Sequence, residues 1–350
     1  MALLTTTIGA YPKPDYVPVP QRSPEDSTDR NDLTETYEAY LRGETAELEE
    51  LLDRATQEVV QEQVRIGIDV PTDGEIRREH YIYYHCRHLE GIDFSRLTEK
   101  IMRSGSWKAA VPTIVGPIQP KDSFLSRDWR IAQSATDRPV KITVPGPLTI
   151  TDSLADAYYQ DERKLGLALA ETLKAEIRAL GEAGCRWIQV DEPVLVREPE
   201  KALAFGIENL ERCFHGLPKG VTTVVHLCCG YPDRLDNERY PKADPRVYFR
   251  LAAPLDETAI DAVSIEDAHR HNELALLEQF RKTRVILGVL AIARSRVETA
   301  EEIAARVNEA LDHIDGKRLM LAPDCGLAML DRETVQEKIR NMVEAAKSVE

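Results

Sequence analysis

The chain has 350 residues with 60 acidic and 45 basic side chains, a formal net charge of −15 that opposes nucleic acid phosphates and anionic membrane surfaces as partners. An apolar share of 43% suits a soluble globular protein with a large core, and no uninterrupted apolar run is long enough to span a bilayer. The opening residues lack the basic and apolar regions of a secretory signal, and six scattered cysteines do not make a disulfide scaffold, so a cytoplasmic protein with reduced thiols is expected.

Short apolar, β-branched runs followed by helical periodicity recur along the chain. The predicted strands cover residues 3–8, 68–72, 140–144, 187–190, 222–227, 262–265, 284–290 and 319–322; helical patterns fill 45–66, 162–183, 201–214, 272–282, 299–314 and 332–348. Eight alternations predict an α/β fold, a (β/α)8 TIM barrel with residues 1–350 as a single catalytic domain. A doubly wound sheet has the same local alternation, so the barrel rests on the count and on reactive residues falling at strand ends. Two stretches break the pattern, a segment rich in Pro, Asp and Ser at 11–34 and a hairpin-like excursion at 103–127. Both are expected over the carboxyl-terminal mouth of the barrel, although the first also fits a plain solvated insertion.

The strand at 222–227 carries His226 near its end, and Cys228 follows two residues later, so both side chains share one face of an extended chain. The next strand leads into Glu266, and the last leads into Cys325. In a barrel all carboxyl ends surround one mouth, so residues remote in sequence converge there without local Cys-rich spacing. Two thiolates, an imidazole and a carboxylate form a borderline-soft tetrahedral set, which selects zinc (Zn2+) over magnesium or calcium. Each residue alone has an ordinary structural use: a core histidine, buried thiols, a glutamate at a helix start. Together at the ends of three strands they point to a metal that activates a thiol, since the thiolate is the nucleophilic form. Cys229 faces away if Cys228 faces inward and stays outside the set.

With these residues in place, the chain resembles the cobalamin-independent methionine synthases in their short, single-barrel core form. The likeness runs along nearly the whole chain and is carried by Thr5-Thr-Thr-Ile-Gly-Ala-Tyr-Pro12, Asp73-Gly-Glu75, Pro145-Gly-Pro147, Asp191-Glu-Pro193, the His226/Cys228 pair, Ser264-Ile-Glu266 and Pro323-Asp-Cys-Gly326. The resemblance implies a zinc-dependent S-methyltransferase of methionine biosynthesis that methylates homocysteine, with His226, Cys228, Glu266 and Cys325 as metal ligands. It further implies that Glu75, Asp191 and the backbone near Ala10 bind the amino acid part of homocysteine; a cationic amino group asks for carboxylate partners. From the residues alone, Asp191 fits a helix N-cap and Glu75 a first-turn acid equally well.

The chain departs from that family's full-length members in three places. Ala10 stands where they carry serine, no tryptophan follows the Gly-Pro pair in Leu148-Thr-Ile-Thr-Asp152, and Ala293 replaces a histidine that would act as an acid. The methyl donor, methyltetrahydrofolate or a methylcorrinoid, therefore stays open, as does a partner protein. Glu266, the hardest ligand of the four, is expected to yield when the substrate sulfur arrives. The cluster of His80, Tyr81, Tyr83, Tyr84, His85 and His88 fits either a substrate pocket or packing, and His269 and His271 could orient Glu266 or carry a proton.

Two other functions fit parts of the pattern. Alkyl transfer to another thiol, as in the transferases that open epoxides with coenzyme M, would need arginines for a sulfonate, and Arg77, Arg78 and Arg294 are available. A barrel with a structural zinc and a binding role is the other, but such sites more often sit in a local Cys-rich knuckle.

Overall fold

The computed structural model describes residues 2–19, 46–102, 107–231, 234–237 and 240–349. Among these, the strands in chain order are β1 (Leu4–Thr5), β2 (Leu89–Met102), β3 (Trp107–Pro120), β4 (Lys141–Pro145), β5 (Ala155–Asp156), β6 (Trp187–Asp191), β7 (Thr222–Leu227), β8 (Ala262–Ile265), β9 (Arg284–Leu290) and β10 (Leu319–Pro323). Seven of them form one curled parallel sheet in the order β1-β10-β9-β8-β7-β6-β4. Parallel sheets are covered on both faces, which is why β9 reads as the apolar run Arg-Val-Ile-Leu-Gly-Val-Leu and is buried from Val285 onward.

The predicted strand at 68–72 is reduced to two single bridges, Thr6 with Val70 and Thr72 with Lys141. It thus touches both edge strands of the sheet: Val70 donates its N–H to Thr5 O at 3.0 Å, and Lys141 donates to Pro71 O at 2.8 Å. Pro71 has no N–H to give, so a continuous ladder cannot run through this segment.

The helices Ala46–Ile66, Glu162–Ala183, Ala300–Leu311 and Arg332–Ser348 lie where periodicity placed them, and their ends are chemically marked. Asp161 accepts from the N–H groups of Arg163 and Lys164, Gly184 ends the same helix at φ 115°, and Thr299 with Glu302 forms a capping box. Among the described residues no helix is long and apolar enough to cross a membrane.

Two predicted helices come out differently. The 201–214 pattern contains a π-helical turn at Ala202–Gly206 before the α-helix Ile207–Cys213. The 272–282 pattern keeps only a 3₁₀ turn at Leu274–Gln279, because the chain after β8 is spent on a loop whose N–H groups at Asp267, Ala268 and His269 all serve Asp324. The excursion at 103–127 is part of a longer antiparallel pair, β2 with β3, to which β5 adds; residues 103–106 lie outside the described set, as do 20–34 of the first excursion. Further helices at Tyr81–Cys86, Leu125–Gln133, Pro147–Ser153 and Val247–Glu257 lie outside the predicted patterns.

The Pro145-Gly-Pro147 motif has a packing reason. Glu192, fully buried after β6, reaches under the helix Pro147–Ser153 and accepts from Leu148 N at 2.8 Å and Thr149 N at 3.1 Å. A β-carbon on Gly146 would overlap that carboxyl group, so only glycine allows the approach. Burial pushes the Glu192 carboxyl up to about 8 against these bonds.

Candidate active site

The carboxyl ends of β6, β7 and β10, with the loop after residue 8 and the turn at 73–75, enclose a cavity of about 210 Å³. His226, Cys228 and Cys325 line it, and one ligand atom from each lies within 4.8 Å of the others. His226 Nδ1 pairs with Ser264 Oγ at 3.1 Å, which leaves Nε2 as the outward donor; that nitrogen is buried and has no hydrogen-bond partner. A buried polar atom without a partner costs about 1–3 kcal/mol unless something binds it. Two sulfurs about 2.3 Å from a tetrahedral zinc lie roughly 3.8 Å apart, so a metal would need little rearrangement of this set.

The electrostatics favour one thiolate in the pair. A hydrogen bond from Cys325 outweighs burial and, with His226, holds the Cys228 thiol well below its usual range, while the same bond and burial push Cys325 up. His226 is raised: burial opposes its charge, but the negative charge of Cys228 and Asp191 prevails.

Glu266 is not drawn into that cluster. Its Oε1 accepts from Lys242 Nζ at 2.8 Å and its Oε2 accepts from the Cys229 N–H at 3.1 Å, so a buried ammonium, absent from the sequence reading, takes the carboxylate. His269 does not orient it either. The His269 Nε2 accepts from Ala293 N at 3.1 Å, and burial with Lys242 and Arg294 lowers its pKa to about 3. His271 is exposed. Cys229 turns away, its thiol facing Tyr248 Oη at 3.6 Å.

Asp324, beside Cys325, organises the loop behind Glu266 by accepting from the N–H groups of Asp267 and Ala268 at 2.9 Å and of His269 at 2.8 Å. Gly288 in β9 makes room for it: a β-carbon there would overlap the Asp324 carboxylate and stand 2.9 Å from its Cα and 3.0 Å from Ile265 O. Since backbone atoms cannot swing aside, Gly288→Ala is expected to cost roughly 1–3 kcal/mol. Urea unfolding checks this; a midpoint equal to that of the parent would show that β9 has room for a methyl group at this position.

Glu75 and Asp191 face the same cavity and are both buried. Gly74 at φ 70° and Glu75 at φ 55° are consecutive left-handed residues, a conformation costly for glutamate that turns its side chain into the cavity. Thr143 Oγ1 donates to Glu75 Oε1 at 2.7 Å, and Arg78 donates to the same oxygen at 3.2 Å. Gln189 Nε2 donates to Asp191 Oδ1 at 2.7 Å. Burial raises both carboxyls, Asp191 to about 7, with His226 pulling it back. A cation placed between them would relieve that penalty.

Ala10 also lines the cavity and offers only backbone; its carbonyl accepts from Leu327 N at 2.7 Å. The aromatic cluster divides. His80, Tyr81 and Tyr83 line the cavity, with His80 stacked on Tyr83 at 4.3 Å, whereas Tyr84, His85 and His88 pack around Phe124. Burial and the nearby Asp191 raise the Tyr81 phenol, which keeps it a donor. Lys13 and the Arg197–Asp152 pair, also on the cavity wall, were not singled out by the sequence, since an isolated basic residue in a loop carries no pattern.

The arginines are otherwise committed. Arg77 pairs with Glu49, Asp53 and Asp128, and Arg78 with Asp73 and Glu75. Arg294 and Ala293 line a separate cavity of about 170 Å³ beyond Lys242.

The chain is similar over nearly its whole length to known proteins. A protein described as methionine synthase from Saccharolobus solfataricus is 28% identical over 353 residues, covering 99% of this chain and 95% of the relative. One from Sulfurisphaera tokodaii is 27% identical over 350 residues, covering 99% and 92%. Among solved structures, a B12-independent methionine synthase from Shewanella sp. W3-18-1 in complex with selenomethionine superposes with a TM-score of 0.87 at 29% identity, covering 99% of this chain and 97% of the other. A putative vitamin-B12 independent methionine synthase from Listeria monocytogenes, 20% identical with a TM-score of 0.71 and 98% of each chain covered, shares the fold. The family model for the cobalamin-independent synthase catalytic domain matches residues 3–208 and 246–348, leaving the segment with His226 and Cys228 between the two matches. On a match over most of its length, the chain belongs to the cobalamin-independent synthase catalytic-domain family.

Proposed function

We propose that this protein methylates the thiol of homocysteine to give methionine, as a single (β/α)8 barrel over residues 1–350 whose eighth stave is the bridged segment 68–72. The observation that carries the reading is the convergence of His226, Cys228 and Cys325 from two strand ends, with the His226 Nε2 buried and without a hydrogen-bond partner. Bound there, zinc would keep a coordinated substrate thiol, whose free pKa is near 8.5, in its nucleophilic thiolate form at neutral pH. Glu75 and Asp191 hold the substrate ammonium, an assignment supported by their burial and their raised pKa values. The Shewanella neighbour, described as a complex with selenomethionine, supports a methionine-shaped product in this family.

Coenzyme M as acceptor is the weaker reading, because Arg77, Arg78 and the cavity's Arg197 are paired with carboxylates and Arg294 lies outside the cavity. The donor is methyltetrahydrofolate or a methylcorrinoid. Incubating the zinc-loaded protein with homocysteine and each donor in turn, with and without cell extract to supply a partner, should yield methionine by mass in at least one arm. Absence of methionine in every arm, with zinc bound and homocysteine present, would overturn the assignment.

A further inference from the structure

The second cavity, of about 170 Å³, shares no lining residue with the one that holds His226, Cys228 and Cys325. Among the described residues its wall carries three cations, Lys242, Arg270 and Arg294, and no carboxylate. The fourth titratable group on the wall, His269, is neutral: burial takes its pKa down to about 3, and Lys242, Arg294, Lys338 and Arg270 all push the same way. Around the wall, Glu266 answers Lys242 at 2.8 Å and Arg270 at 3.8 Å, and Glu298 engages Lys338 at 2.7 Å. Asp324 spends its oxygens on the N–H groups of residues 267–269. One carboxylate facing three cations leaves the cavity strongly positive. If Glu266 turned toward a metal, Lys242 would be released and the cavity would become more positive still, so the charge does not depend on where Glu266 points.

Donors here also lack acceptors. Arg270 Nη2 donates to Ala243 O at 2.6 Å, but its Nε is buried with no hydrogen-bond partner. Tyr240 is 8% exposed, its hydroxyl finds no acceptor, and burial pushes the phenol up to about 12, so it keeps its proton. Its polar neighbour is Lys242, whose ammonium lies 5.2 Å from the ring centre and is a donor itself. Buried donors without acceptors are costly, and the ligand that relieves them together with a positive field is one with acceptors only and a negative charge. That describes an oxyanion. Guanidinium groups match the oxygen spacing of phosphate and carboxylate alike, but a dianion answers more of the charge than a carboxylate can.

We propose that this cavity is a binding site for a phosphate group, held by Arg270, Arg294, Lys242 and the Tyr240 hydroxyl. The inference stands apart from the methyl-transfer reading and requires neither a metal nor homocysteine.

Titration calorimetry of the full-length protein at constant ionic strength, with inorganic phosphate as the probe, is expected to show saturable binding at one site. Acetate should bind about tenfold more weakly, since it offers fewer charge-assisted hydrogen bonds. Arg294→Met, at a half-buried position, should weaken phosphate about tenfold and leave homocysteine binding unchanged. Tyr240→Phe should weaken it about fivefold, the loss of one hydrogen bond. Glycerol phosphate forms a second arm: affinity equal to that of the free ion identifies the phosphate of a larger molecule as ligand, and a strong preference for the free ion identifies inorganic phosphate. Phosphate binding no tighter than chloride, or equal in the wild type and Arg294→Met, would show that the cavity is only a solvated basic patch and overturn the proposal, whatever the stability of Tyr240→Phe.

Discussion

Replacing Cys325 by serine is expected to strip the protein of zinc and abolish methionine formation together. The argument is one of ligand count: with Glu266 engaged by Lys242, the residues gathered at the mouth number three, and Cys325 supplies one of the two sulfurs. A serine hydroxyl is a hard, weakly acidic donor, a poor exchange for thiolate on a borderline-soft ion. Partners of metal ligands already matter about 10–100-fold, so loss of a ligand should exceed that range in affinity. It should also lower the thermal midpoint of the zinc-loaded protein, since binding energy adds to folding energy, and leave the zinc-free protein nearly unchanged. Metal content after dialysis against a weak chelator and calorimetry with and without zinc provide the check. An active, zinc-replete Cys325→Ser protein would show that the cluster is incidental.

Asp191→Asn is expected to behave differently, keeping zinc while losing substrate. Asp191 is buried on the cavity wall, one oxygen held by Gln189, and faces the same space as Glu75. A hydrogen bond to a charged group contributes about 1.5–3 kcal/mol, which corresponds to a loss of roughly 10–150-fold in kcat/KM for homocysteine. The discriminating comparison is a thiol of the same length without the amino group. It should react poorly with the wild type and be almost indifferent to the substitution, because the interaction removed is the one it lacks. Equal losses for both thiols would mean that Asp191 acts on His226 or the metal rather than on the ammonium. Glu75→Gln should follow the same pattern with a smaller effect, since Arg78 and Thr143 already neutralise part of its charge.

The strand ends, and the meeting of His226, Cys228 and Cys325 beside them, were legible in the order of residues. His226 and Cys228 share a face because extended backbone alternates with period two, and Cys325 follows an apolar run that can only be a buried strand. The family likeness lay in such local runs, and so did most of the long helices, whose apolar stripes repeat at helical spacing.

What the tertiary structure decided were matters of long-range competition. Whether Glu266 turns to the sulfurs or to an ammonium depends on where a loop 24 residues earlier places Lys242, and no spacing rule encodes that. The division of the aromatic cluster, with His80, Tyr81 and Tyr83 on the cavity and Tyr84, His85 and His88 against Phe124, depends on which side of a six-residue helix meets the sheet. The segment 68–72 looked like a full strand because its side chains suit one, yet Pro71 withholds the N–H that a ladder needs. Local sequence sets the conformations and donors available at each position; which partner each buried charge obtains is set by packing, because in a low-dielectric interior the nearest opposite charge wins.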